Sequence, residues 1–223
     1  MKTFSNESSL SPPVTAALAV WFGSVVVLGT SGTFVRAPGA LPLPILLGVT
    51  APLMVFLSVY GASQRFRQYV LSLELPLITA VQGWRVAGFG FLALYTHDVL
   101  PGLFAWPAGL GDIAIGLIAP WMVLALTRSP SFATSRRFIL WTLFGIFDLV
   151  VAIGTGGLSS VLARGITTAA MARMPLVLIP AYFVPLFVML HLATLFQARH
   201  LKRTERRREP SSRSGVRAMS HSG

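Results

Sequence analysis

Gln82, Arg85, Asp112, Asp148 and His191 stand inside stretches that are otherwise apolar. A charged Arg or Asp near a bilayer centre costs ~2.5–3.5 kcal/mol on insertion scales, so such residues face protein or water and seek one another. Gln82 and Arg85 lie three apart and share one helix face. In this set Arg85 is the anion-attracting or counter-ion group, and Asp148 its partner. Asp112 would stand at an outer mouth, and His191, whose ordinary pKa is near neutrality, would accept a proton at the inner end. That is the chemistry of a path for a small polar solute or ion. It is also, and more commonly, the chemistry of an ion pair that fixes helix register.

A second constellation is His97, Asp98 and Asp112, an outer-face group with the three ligands that a catalytic zinc requires. His97 and Asp98 are neighbours in the chain and point differently, which weighs against convergence. Other chemistries find no residues. The chain has no cysteine, which removes disulfides, thiolate nucleophiles, iron–sulfur clusters and thiolate-bound zinc. No P-loop, dinucleotide fingerprint or His-Glu-x-x-His occurs. His97 and His191 fall at opposite faces, which excludes bis-histidine haem. The expectation is no cofactor and no metal.

The elements that must carry these residues follow from composition. Of 223 residues 54% are hydrophobic and only 11% charged, and the mean hydropathy is +0.70. A soluble domain carries roughly 25% charge, so water cannot be the solvent for most of this surface. Disorder is excluded by the same apolar content. About 20 apolar residues cross a hydrocarbon core, and six stretches approach that length: 14–34, 41–62, 75–96, 108–127, 138–155 and 175–197. No alternation typical of a barrel is present, so each span closes its backbone hydrogen bonds as a helix. The expected fold is all-α, a six-span transmembrane helical bundle. Residues 1–13 form an N-terminal segment, 14–198 the membrane domain, and 199–223 a basic, disordered tail. A cleaved signal peptide is disfavoured because Glu7 balances Lys2 and the first apolar run exceeds an h-region.

Charge sets the orientation. Lys2, Arg65, Arg67, Arg128, Arg136, Arg137 and eight tail residues place fourteen cations on one side. Arg36, Arg164 and Arg173 lie on the other, and Arg85 lies within a span. The positive-inside rule puts both termini in the cytoplasm. The polybasic tail, including Arg206, Arg207 and Arg208, would attract anionic lipid headgroups at ~1 kcal/mol per cation. Without interleaved aromatics it is a poor nucleic-acid binder.

A rise of 1.5 Å per residue converts position to depth. From the cytoplasmic boundary Arg85 falls at ~14 Å, Asp148 at ~15 Å, Gln82 at ~10 Å with His191 shallower still, and Asp112 at ~24 Å. The expectation is an Arg85–Asp148 pair at the midplane, with Gln82 and His191 below and Asp112 above. Gly109 and Gly116 flank Asp112 and Gly145 precedes Asp148, small residues that allow close helix approach. Pro52, Pro120, Pro180 and Pro185 each remove a helical hydrogen bond. Residues 97–107 read as an apolar loop anchored by Phe104 and Trp106, and 156–174 as a surface segment with a short helix around Ser159 to Met171.

Two resemblances bear on function. Gly29-Thr30-Ser31-Gly32 is similar to the Gly-x-Ser-Gly of rhomboid intramembrane proteases, but Ser31 and His191 lie on the order of 20 Å apart in depth. A nucleophile and its base must approach to ~3 Å, so protease chemistry fails. The run Leu100-Pro101-Gly102-Leu103-Phe104-Ala105-Trp106-Pro107-Ala108-Gly109-Leu110-Gly111-Asp112 resembles a signature of uncharacterised bacterial multi-spanning integral membrane proteins. The likeness extends to Gln82, Arg85, Gly145, Asp148, Pro180, Pro185 and His191, about half the chain. It implies a bacterial inner-membrane protein and no assigned activity. Three functional classes therefore stand: a transporter-like or channel-like protein, a membrane enzyme acting through His97, Asp98 and Asp112, and a non-catalytic scaffold or partner subunit.

Overall fold

A computed structural model describes residues 12–37, 39–162 and 165–219, with side chains to residue 204. The N-terminal segment bearing Lys2 and Glu7, the loop cation Arg164, and the side chains of the Arg206–Arg208 run lie outside the described residues. Among the described residues there is no strand. Eight helices follow in order: α1 (Pro12–Thr30), α2 (Leu43–Ala62), α3 (Gln64–Ser72), α4 (Leu75–Val81), α5 (Phe89–Thr96), α6 (Gly102–Arg128), α7 (Arg136–Leu162) and α8 (Val184–Met219). A 3₁₀ turn, Gln82–Gly88, joins α4 to α5, and a π turn, Ile179–Phe183, leads into α8. α8 thus carries most of the basic tail.

Among the described residues six units are long and apolar enough to cross a membrane: Pro12–Thr30, Leu43–Ala62, Leu75–Thr96, Gly102–Arg128, Arg136–Leu162 and Ile179–Thr204. Large apolar side chains such as Val20, Leu117, Trp121 and Phe147 point outward. In water that pattern marks an interaction surface, whereas hydrocarbon solvates it without cost.

Two boundaries differ from expectation and matter for the site. α6 starts at Gly102, so Phe104, Trp106 and Pro107 belong to its first turns and not to a loop. α7 runs on to Leu162, and the short helix expected at 159–171 is a 3₁₀ turn at Thr168–Ala172. Between the spans, α3 is an amphipathic connector on the basic side. Ser63 caps it by accepting from the Phe66 amide, and Arg67 donates to the carbonyls of Tyr60 and Gly61 at the end of α2. Gln197 of α8 donates to Val70 O (2.9 Å) and Leu73 O (3.0 Å), tying the C-terminus of α3 to the bundle.

α6 is the axis. It packs against α4, the 3₁₀ turn, α5 and α7. Its inner half buries Ile115, Ala119, Met122 and Leu126 against Phe138 and Trp141. Its outer half buries Phe104, Ala105 and Ala108 against Phe91, Leu100 and Met171. α1 and α2 bury little (Val25 and Gly29; Val49) and lie at the periphery.

Candidate functional site

The 3₁₀ turn brings backbone into van der Waals contact with α6, and glycine makes this possible. A Cβ on Gly88 would meet Asp112 Cβ at 2.6 Å and Gly109 O at 2.9 Å, and one on Gly116 would meet Val86 N at 2.5 Å. Backbone against backbone leaves no side chain to give way. With three residues per turn, Gln82 and Arg85 fall one above the other, and both are driven inward at 1% and 2% exposure.

Arg85 is the hub. Its Nε donates to Asp112 Oδ1 at 2.6 Å. Its Nη2 donates to Asp148 Oδ2 in a second ion pair. Its Nη1 donates to Gly145 O at 3.2 Å and to His191 Nε2 at 3.2 Å. Four helical elements thus meet on one guanidinium. A guanidinium has only donors, so the contact with His191 requires an unprotonated Nε2. This assigns the neutral imidazole with its proton on Nδ1.

The sequence-predicted partnership of Arg85 and Asp148 is present. The predicted ladder is not. Asp112, expected far above the pair, shares Arg85 with Asp148, and His191, expected well below, touches the same guanidinium. Gln82 stays apart from the ion cluster and instead donates weakly to Phe187 O at 3.4 Å, leaving its Oε1 without a partner. His97 and Asp98 are exposed on the α5–α6 turn. Asp98 adopts a left-handed conformation (φ 57°), and the following amide, Val99 N, donates back to Leu94 O (2.9 Å), an αL cap on α5. Asp112 lies ten residues into α6, about 15 Å deeper than its start. The outer trio does not assemble, and among the described residues no three His, Cys, Asp or Glu side chains are placed to hold a metal.

Two contributors escaped sequence reasoning. A Cβ on Gly111 would overlap the Asp148 carboxylate, so this glycine makes the room in which the carboxylate sits. Trp141 is buried and packs edge-on against the His191 ring, centroids 5.6 Å apart at 70°. The spacing Phe138, Trp141, Gly145, Asp148 follows one face of α7 and was the available signal. Gly145 completes it, since a Cβ there would run into the His191 imidazole and approach Arg85 Nη1 to 3.2 Å.

Above the cluster lies a cavity of about 70 Å³ between α2, α5, α6, α7 and the π turn. Its wall is apolar except for Asp112 and, at the other end, Ser160 and Thr168. The Asp112 side chain is 16% exposed, while that of Asp148 is 5% and that of Arg85 0% exposed. Ser160 and Thr168 hydroxyls lie 2.6 Å apart, so one donates to the other, and both stand within hydrogen-bond reach of Gly156 O, which accepts the second proton. They also line a second, outer cavity of about 40 Å³ that includes Arg36. The two cavities lie side by side and share Pro42, Ile45, Ser160 and Thr168 in their walls.

No curated protein and no solved structure matches the chain. One family model does, described as Domain of unknown function (DUF8737), over residues 40–199. That span takes in every member of the cluster and both walls of the inner cavity, and leaves out α1 and most of the basic tail. The chain belongs to this DUF8737 family.

Proposed function

We propose that this chain is an integral membrane protein of transporter-like kind, taking a small solute from the loop end into the inner cavity and onto the Asp112–Arg85 cluster. The observation that carries the reading is the double position of Asp112, which belongs at once to the ion cluster and to the wall of a cavity otherwise apolar. The π turn Ile179–Phe183, with Pro180 in the cavity wall, supplies a movable wall. Irregular turns of this sort inside helices concentrate at functional sites. Arg85, Gln82 and His191 close the route beneath, so passage requires the cluster to open toward the basic end. The basic end is the cytoplasmic one by the positive-inside count, in a bacterial inner membrane, with the tail over anionic headgroups.

The absence of native cysteine makes the test direct. Ile153→Cys places a thiol in the inner cavity, and Thr194→Cys places one on the far side of His191. In intact cells a membrane-impermeant methanethiosulfonate added outside is expected to modify Ile153→Cys. In inverted vesicles the same reagent is expected to modify Thr194→Cys more slowly, as the closed cluster opens. Failure to label Ile153→Cys would overturn the cavity route, and a Thr194→Cys that is inert from both faces would overturn transport.

A further inference from the structure

Two acids share one cation at the cluster: Asp112 and Asp148 both bind the single guanidinium of Arg85. His191 offers them no second cation, because its Nε2 accepts from Arg85 (3.2 Å). A further cation would satisfy both acids as carboxylates, in surroundings where an uncompensated charge is costly. The cluster opens to one place only among the described side chains. Asp148 is enclosed, with its carboxylate filling the space left by Gly111. Asp112 gives Oδ1 to Arg85 and is the member of the cluster that lines the cavity.

The cavity prescribes the remainder of the ligand. Along α7 its wall runs from Leu149 to Ser160, eleven residues or about 16 Å at helical rise. Phe91 and Phe104, edge to face at 5.3 Å, stand in that wall. Aromatic rings beside a carboxylate suit a cation, through the ring quadrupole, and repel an anion. Leu46, Val49, Ile153 and Val184 offer nothing to a polar body. We infer that the inner cavity is a binding site for an organic monocation, an ammonium group on an extended apolar body, with Asp112 as its counter-ion. The ammonium hydrogen-bonds the carboxylate that Arg85 holds in place, and the apolar body lies along α7 toward Ser160 and Thr168. Arg36 in the outer cavity opposes a cation on its way in, so selection rests on the floor of the site and not on its mouth.

The inference rests on the proposed transporter-like reading only in taking the cavity as reachable from solvent. It is tested on the purified full chain in phosphatidylcholine nanodiscs, whose headgroups carry no net charge. The probes are hexylammonium, hexanol and hexanoate, and the readout is thermal unfolding followed by tryptophan emission. Hexylammonium at about 100-fold over its Kd is expected to raise Tm by about 5–10 °C. Hexanol, which shares its partitioning into lipid, and hexanoate are expected to leave Tm within a small part of that shift. Asp112→Asn is expected to abolish the response. Ala152→Phe fills the cavity one turn from Asp148 while sparing every charged group, and is expected to abolish it too, which keeps the test decisive if Asp112→Asn does not fold.

Equal shifts with hexylammonium and hexanol would make the cavity a slot for neutral chains, such as lipid acyl groups, and overturn the inference. Retention of the response in either variant would overturn it as well. A cation-specific shift together with an unreactive Thr194→Cys would sink transport and leave the binding site standing. A labelled Ile153→Cys with no cation-specific shift would do the reverse.

Discussion

Replacing Arg85 by Leu removes the common partner of two carboxylates, and the size of the penalty separates a real hub from an incidental contact. Breaking a buried ion pair by deleting one member costs about 3–5 kcal/mol, because the other charge is stranded. That applies in full to Asp148, whose side chain is 5% exposed. Asp112 reaches the cavity at 16% exposure and is partly solvated, so its share is smaller, about 1–2 kcal/mol. Gly145 O and His191 Nε2 lose a donor each. The terms share one partner and do not add, so about 5 kcal/mol is the expected loss for Arg85→Leu, comparable with the whole stability of many domains.

The two-charge repair is incomplete. Arg85→Leu with Asp148→Leu still leaves Asp112 without its guanidinium and should recover only part of the loss. Arg85→Leu, Asp112→Leu and Asp148→Leu together remove every buried charge and should return to within about 1–2 kcal/mol of the native chain, since apolar replacement of buried ion networks is often neutral or better. Denaturant unfolding in detergent, followed through the five tryptophans, measures all three. Native stability in the double variant would show that Asp112 does not depend on Arg85. A loss below about 1 kcal/mol for Arg85→Leu alone would refute the hub altogether.

Gly111→Ala should cost about 1–3 kcal/mol in the same assay, because its Cβ overlaps the Asp148 carboxylate, whereas Gly154→Ala, with nothing within 4 Å, should be neutral or stabilising by up to about 1 kcal/mol. Gln197→Leu uncouples the carbonyls of Val70 and Leu73, and amide exchange should quicken across α3 while α6 and α7 keep their protection. Thr168→Val loses the hydroxyl that joins Ser160 to Gly156 O, and should raise the rate at which an external thiol reagent modifies Ile153→Cys several-fold. An unchanged rate would mean that the two hydroxyls do not narrow the route.

The residues of the cluster were legible from sequence because charge inside an apolar run is rare and expensive, so Arg85, Asp112, Asp148 and His191 each stood out without any knowledge of the fold. Their arrangement was not, and one cause accounts for both misplacements. Depth was counted from helix ends set by a 20-residue span, but α6 has 27 residues and the last span runs to Thr204. Pro101, Gly102 and Pro107 read as a broken loop, yet Pro101 stands at the N-cap of α6, where an amide has no helical partner in any case, and Pro107 removes a single bond inside the helix. Starting α6 at Gly102 moves Asp112 from about 6 Å below the outer end of its helix to about 15 Å. Extending the last span to Thr204 places His191 about 20 Å from its inner end, more than twice as deep as an end at residue 197 allows. Both corrections carry residues toward the middle, and a ladder across the membrane contracts to a knot on Arg85. The glycines mark the limit of what spacing conveys. Gly145 and Gly116 repeat at helical intervals beside acidic residues, but that Gly111 houses a carboxylate from α7 is a fact about two helices, and no periodicity in one of them encodes it.

A charge knot of this kind ordinarily argues for architecture alone, since one guanidinium holding α6, α7 and α8 to a 3₁₀ turn fixes their register. Asp112 is where that account falls short. Register needs its Oδ1, already given to Arg85 at 2.6 Å. It does not need the carboxylate to stand in the wall of a cavity whose other inner-end residues are apolar, nor does it need two acids on one guanidinium. A purely structural network gains by closing over its last exposed oxygen. The glycines that let Asp148 and His191 be enclosed show that this bundle has the means to do so, and α5 and α6 withhold it at one position. The same residue therefore supports the helices through Oδ1 and presents its side chain to the cavity. Structural and binding roles then separate by substitution: Asp148→Asn perturbs mainly the fold, and Asp112→Asn mainly the affinity for a cation.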